Sequence, residues 1–319
     1  MTNRQKLFLC VDIVVLILLF LVSSTDYVWQ EKQVQVSNLS VITEWSQDST
    51  DANFAQGAQK SAQLCHADLR YLNQREYAAQ QINLQTLVQR EIDNGCQGIL
   101  LQCSSQQMAQ EIVENIPVGI PVVLYGVSVD LPRVKSVLQI DKMQAANKIV
   151  EHVLLQRTKG QTITLVLQKN SSDFAKQLHQ QLEEQFLQEG VLCSSVVLNE
   201  MTETEALAKG LAVQGGNMVV SCDVEVLEAI ATVCRKNTLD LPLFGMGWSG
   251  DIRKELESGY LYGTLVENAY IGGYLGVQIL SGFVTGDNLS EQSYTIETVW
   301  VTKETLYDRE KEAVLFPFL

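Results

Sequence analysis

From residue 36 onward, short and nearly continuous apolar runs alternate with longer stretches whose apolar residues recur at helical spacing. The runs 36–42, 98–102, 122–125, 162–167, 218–221 and 243–245 read as strands buried on both faces, the pattern of parallel sheets covered by helices. The stretches 54–64, 80–94, 105–115, 143–155, 172–189, 224–236 and 251–258 predict amphipathic helices between them. Gly95 and Gly190 fall where helix ends need a residue tolerant of positive φ, and Pro117 and Pro121 punctuate the loop before a strand. Repeated strand–helix units imply parallel sheets joined by right-handed crossovers. At 319 residues the chain has material for two medium domains, yet no repeat and no low-complexity linker divides it. Two domains without a linker imply that the chain passes between them more than once, through a multi-strand hinge.

The first residues differ from this body. Arg4 and Lys6 precede an apolar stretch, 7–22, broken only by Asp12, and Tyr27 and Trp29 follow as aromatic interface anchors. Residues 1–30 are read as an uncleaved signal anchor, a transmembrane helix, with the positive-inside rule placing the body outside the cytoplasm. The alternative is a secreted protein, because the small residues of Val22-Ser23-Ser24 would suit a signal peptidase. Cys10 lies at the wrong end of the apolar run for a lipoprotein cysteine.

Charge and composition narrow the partners. A net charge of −14 with 23 Lys and Arg gives no surface to neutralise phosphates, so nucleic acid is not expected. Beyond Cys10 stand Cys65, Cys96, Cys103, Cys193, Cys222 and Cys234, with no CxxC pair; they read as small buried hydrophobes, with disulfides as the alternative. His66, His152 and His179 are scattered over predicted helices, so neither a metal site nor any cofactor is expected.

Several stretches, taken in order, resemble the ribose-type, type I periplasmic binding proteins over residues 36–302. Phe54-Ala55-Gln56-Gly57-Ala58-Gln59-Lys60 looks like that family's first helix. Gly95-Cys96-Gln97-Gly98-Ile99-Leu100-Leu101 resembles its helix end and following strand, and Ile120-Pro121-Val122-Val123 its proline-led strand. The segment 137–145 is similar to the crossover with a hinge-proximal aspartate, here Asp141. Val219-Val220-Ser221-Cys222-Asp223, Leu243-Phe244-Gly245 and the segment 259–267 resemble the later strands. The resemblance implies an α/β fold of two Rossmann-like lobes with parallel sheets joined by a multi-strand hinge. The expected lobes are 36–140 plus 268–293 and 141–267 plus 294–302, with 303–319 as an extra tail whose apolar end, 314–319, suggests docking onto the body. Gly126-Val127 stands where sugar binders of this type commonly have Asp-Arg, and Gly245-Met246-Gly247 where they have Gly-Phe-Asp, which points to a different set of ligand contacts.

Ligands of open parallel sheets bind beyond the carboxyl ends of the strands, so two such sheets facing one another make a cleft lined by strand-end loops. Sugars need hydrogen-bonding side chains for hydroxyls and aromatic faces for C–H surfaces. Trp45, Asp48, Asp51, Tyr125, Asp223, Trp248 and Glu267 are the candidate ligand contacts at such positions. Asp51 also suits a helix N-cap, as do Ser104 and Ser172. Residues 245–250 formally spell GxGxxG, but late in the chain rather than in a first βα unit; the reading adopted is a strand-end loop that lets Trp248 face the cleft. No nucleophile, base or metal cluster is evident, so the protein is not read as an enzyme. The expected function is capture of a small polar ligand, a sugar or sugar derivative, for ABC import, with an ABC permease as partner. The alternatives are a ligand-sensing receptor subunit for a sensor histidine kinase and an exported α/β enzyme. A transcription-regulator effector domain shares the fold, but the apolar segment occupies the place of its DNA-binding helices.

Overall fold

The computed structural model describes residue 4 and residues 13–20, 36–44, 48–287 and 292–317. Residues 1–36 and Ser37–Leu319 form separate units. In the first, residues 13–20 are helical and exposed; the rest of the span anticipated at 1–30, apart from Arg4, lies outside the described residues. Among the described residues no helix is long and apolar enough to cross a membrane.

The second unit holds two six-stranded sheets. The first contains β1 (Ser37–Thr43), β2 (Ala67–Asn73), β3 (Gly98–Gln102), β4 (Val122–Tyr125) and β5 (Val134–Gln139). The second is built from β6 (Thr162–Gln168), β7 (Cys193–Leu198), β8 (Asn217–Ser221), β9 (Leu243–Met246) and β10 (Gly263–Glu267). Of the two last strands, β11 (Gln292–Thr295) completes the first sheet and β12 (Thr298–Val301) the second. Spatial orders are β11-β5-β4-β3-β1-β2 and β12-β10-β9-β8-β6-β7, parallel throughout except that β12 runs antiparallel to β10. The central strands β3, β4, β8 and β9 are buried at every position, which is why they show as unbroken apolar runs.

The pattern misses the half-buried edges. β2 alternates partly buried and exposed positions, with only Asn73 buried, and β7 carries Ser194 and Ser195 with little burial, so neither forms an apolar run. The helix Ala269–Thr285 is apolar nearly all round and rich in glycine, which hides its 3.6-residue period. Its glycines have a packing role. A methyl on Gly273 would strike the Phe54 carbonyl, and one on Gly57 would strike the Tyr270 carbonyl, so this helix and Asp48–Leu64 pack almost backbone to backbone.

The chain passes between the sheets three times: after β5 into the helix Lys142–Gln156, after β10 into Ala269–Thr285, and between β11 and β12. The last passage corrects the expected boundary at residue 293. Tyr294 and Thr295 pair with Leu138 and Gln139 of the first sheet, because β11 extends its parallel ladder two residues further. Backbone hydrogen bonds tie the passages together, Ile296 N–H to the Gln139 carbonyl at 2.9 Å and Asn268 N–H to the Glu297 carbonyl at 3.0 Å. Asp141 begins one passage as the N-cap of Lys142–Gln156, accepting from Gln144 N–H. The six cysteines after Cys10 are all unpaired, four of them buried.

Candidate functional site

The carboxyl ends of the parallel strands in the two sheets open onto one cavity of about 330 Å³. That volume falls in the ~300–1,000 Å³ range of small-molecule sites. The first lobe contributes Glu44 after β1, Gln102, Cys103 and Ser104 at the end of β3, and Tyr125 and Gly126 at the end of β4. From the second lobe come Gln168, Asn170, Ser171 and Phe174 after β6, Cys222 to Glu225 after β8, Met246 and Gly247 after β9, and Glu267 ending β10. Each wall residue follows an apolar strand, where the chain leaves the sheet and polar side chains become free to face a ligand.

The two lobes meet around this cavity. The Tyr125 hydroxyl donates to Glu267 Oε2 at 2.8 Å, joining the walls inside the site. Beside it, Asp173 N–H donates to the Ser104 carbonyl at 2.9 Å, and Gln106 N–H donates to Asp173 Oδ2 at 2.8 Å. Further out, the Thr50 hydroxyl donates to the Trp248 carbonyl at 2.9 Å, Asn53 Nδ2 to the Leu315 carbonyl at 3.2 Å, and Arg75 pairs with Glu225 at 3.0 Å.

Burial lifts the Glu267 carboxyl from the ordinary carboxylate range to about 7, against a lowering by the Tyr125 hydrogen bond. Tyr125, 3% exposed, is held well above the usual phenol range by burial first and by the Glu267 carboxylate second. Burial also pushes the Cys103 thiol up to about 12, and the Cys222 thiol rises for the same reason, so neither is a reactive thiolate. Glu44 accepts the Ser104 N–H at 2.8 Å while its own N–H donates to Gln102 Oε1 at 2.7 Å. Among the described residues no group of three or more His, Cys, Asp or Glu could hold a metal ion.

Of the residues singled out in the sequence, Tyr125, Asp223 and Glu267 line this cavity. Asp223 is also the N-cap of Val224–Asn237, with Oδ1 accepting from Val226 N–H at 3.2 Å and Oδ2 from the Ser171 hydroxyl. Trp248 does not face the cleft. It is 4% exposed within the second lobe's core and meets the Phe316 ring edge-on with centroids 5.7 Å apart. The reason is the C-terminal segment: the helix Arg309–Leu315 and Phe316 return over the β9 loop and cover the indole. Asp51 lies within the helix Asp48–Leu64 rather than ahead of it, and accepts from the Thr43 hydroxyl at 2.8 Å and the Tyr71 hydroxyl at 2.5 Å, away from the cavity. Asp48 opens that helix, and the contacts expected of Trp45 and of the Asp48 side chain lie outside what is described. The N-cap anticipated at Ser104 is Ser105, whereas Ser172 caps Asp173–Gln188 as expected. Within the GxGxxG stretch, Ser249 caps Gly250–Ser258.

The sequence reading passed over Glu44, Gln102, Asn170, Ser171 and Phe174 as contacts. Their signal was available, because each follows or ends one of the apolar runs that read as strands. They lack only a distinctive side-chain motif.

No family model matches the chain, and no curated protein matches it. Solved structures do. The chain is similar to a carbohydrate transporter solute-binding protein from Agrobacterium radiobacter in complex with D-arabinose, at 14% identity and a TM-score of 0.72, covering 88% of this chain and 99% of that one. A 5-methylthioribose transporter solute-binding protein from Thermotoga lettingae, in complex with 5-methylthioribose, is similar at 14% identity and a TM-score of 0.72, covering 88% and 91%. A putative LacI transcriptional regulator from Bacteroides fragilis superposes at 10% identity with a TM-score of 0.71, covering 85% and 99%. The chain therefore has the two-lobed α/β fold of the type I periplasmic sugar-binding proteins.

Proposed function

We propose that this protein is an extracytoplasmic solute-binding protein that captures a small polar, sugar-like ligand in the cavity between its lobes. The observation that carries the reading is the cavity itself. It lies where the carboxyl ends of two parallel sheets face one another, and its walls combine carboxylates, amides and hydroxyls with the aromatic faces of Tyr125 and Phe174. The neighbours described as transporter solute-binding proteins with D-arabinose and 5-methylthioribose lend support. Delivery to an ABC permease and tethering by residues 1–30 complete the proposal. The apolar stretch 7–22 behind Arg4 and Lys6 favours a membrane tether over the DNA-binding helices of a regulator.

Thermal unfolding of ligand-free protein across a panel of sugars, sugar derivatives and polyols tests this. A ligand at about 100 times its Kd stabilises the folded state by about 2.7 kcal/mol. Phe174→Ala removes a wall of the cavity and should abolish the shift given by the best ligand. A panel without a single shift, or an unchanged response in Phe174→Ala, would sink the assignment. Fractionation tests the tether: full-length protein found in the soluble cytosolic fraction rules it out.

A further inference from the structure

The cavity holds four carboxylates, Glu44, Asp223, Glu225 and Glu267, and no lysine, arginine or histidine among its lining residues. Two of the four are answered from within the protein. Glu225 pairs with Arg75 at the exposed rim, and Asp223 caps the helix Val224–Asn237 while accepting the Ser171 hydroxyl. The other two are not. Glu44 accepts the Ser104 N–H and Glu267 the Tyr125 hydroxyl, but neither forms an ion pair among the described residues. Partly buried carboxylates that face only neutral donors favour a ligand that brings positive charge, since a ligand filling the cavity displaces water that would otherwise solvate them.

A second feature points to hydroxyls on the same ligand. Gln102 is 5% exposed and lines the cavity. Its Oε1 is taken by the Glu44 N–H, while its Nε2 donates to no group among the described residues. With its oxygen engaged and its side chain lining the cavity, the amide has its N–H pair to offer there, and a ligand hydroxyl oxygen can accept from it. Phe174 adds an apolar aromatic wall that tolerates a ring's C–H face or a nearby cation.

We propose that the ligand is a hydroxylated amine, an amino sugar or amino polyol, whose protonated nitrogen is countered by Glu44 and Glu267 and whose hydroxyls meet Gln102 and Asp223. This rests on the cavity's being the ligand site and names the class of ligand it selects.

The test uses full-length protein freed of bound ligand, with calorimetric titration at neutral pH of matched pairs: glucosamine and glucose, galactosamine and galactose, 1-deoxynojirimycin and 1,5-anhydroglucitol. The amine of at least one pair should bind at least about tenfold more tightly than its neutral partner, the difference between a charge-assisted and a neutral hydrogen bond. Glu267→Gln, checked first for an intact melting transition, should bring the ratio of amine to neutral affinity to about one; Glu44→Gln serves if that variant does not fold. Neutral partners binding as tightly as amines overturn the inference and leave the sugar-binding reading standing, as does a preference that survives both substitutions. If wild-type protein binds neither member of any pair and no neutral sugar shifts its melting temperature, the binding-site reading falls and this inference with it.

Discussion

Glu267 and Asp223 both line the cavity, yet the surroundings of each predict different behaviour. Glu267 is enclosed and raised to about 7, above the ordinary glutamate value that the unfolded chain shows. Between about pH 4.5 and 7 the native state therefore holds a proton that the unfolded chain has released, so stability falls as pH rises through this window. The full penalty stands above pH 7 and is at most about 3 kcal/mol. His152 and His179, both lowered chiefly by burial, slope the other way as pH falls through their range. The comparison of wild type with Glu267→Gln isolates the carboxyl: denaturant unfolding from pH 4.5 to 8 should show the variant gaining on wild type as pH rises, and a constant gap would count against the raised value. Asp223 differs because it caps a helix. Asp223→Ala should cost about 1 kcal/mol of apo stability, while Asp223→Asn keeps an acceptor at the cap and most of that stability. Equal melting temperatures for the two variants would remove the capping role.

At the scale of elements, what was legible in the sequence follows burial. Central strands such as β3 and β8 announce themselves because both faces are covered, and the helices between them show because one face is. The edge strands β2 and β7 and the glycine-rich helix Ala269–Thr285 were illegible for opposite reasons, too little apolar contrast in the strands and too much in the helix. The site divided in the same way. A strand-end rule finds Tyr125, Asp223 and Glu267 at the cavity, but Trp248, which obeys the same rule, is claimed by Phe316 from 68 residues downstream, a contact no local pattern reports. Trp248→Ala should accordingly act as a core deletion, destabilising apo protein by about 3–5 kcal/mol in chemical unfolding. A variant with normal stability and lost ligand response would return Trp248 to the cleft. The helix pair makes a parallel case. Gly57 and Gly273 each abut the other helix's backbone, which cannot step aside as a side chain can, so Gly273→Ala should cost at least about 1–3 kcal/mol.

For the whole molecule, the position of the interlobe contacts decides how closure and binding are linked. Tyr125 to Glu267 crosses inside the cavity, Ser104 and Gln106 meet Asp173 beside it, and Arg75 to Glu225 and Asn53 to Leu315 cross further out. These bonds exist only while the lobes are together, whereas the three chain passages hold the lobes adjacent whatever the cleft does. Contacts that favour the closed arrangement raise apparent affinity by increasing the fraction of protein competent to hold ligand. Arg75 and Glu225 are both exposed and their pair lies at the rim, so its contribution is at the low end, about 0–1 kcal/mol, and screened by salt. Asp173 is different, because its backbone N–H and its carboxylate both cross to the other lobe. Asp173→Ala deletes the acceptor for Gln106 N–H without touching the cavity wall, and should weaken ligand binding about threefold to tenfold, chiefly through faster release, with a small effect on the unfolding of each lobe. Stopped-flow release measured beside equilibrium titration checks this. An unchanged release rate would mean that closure does not depend on that bridge, and a slower association rate at constant release would place its effect on the open form instead.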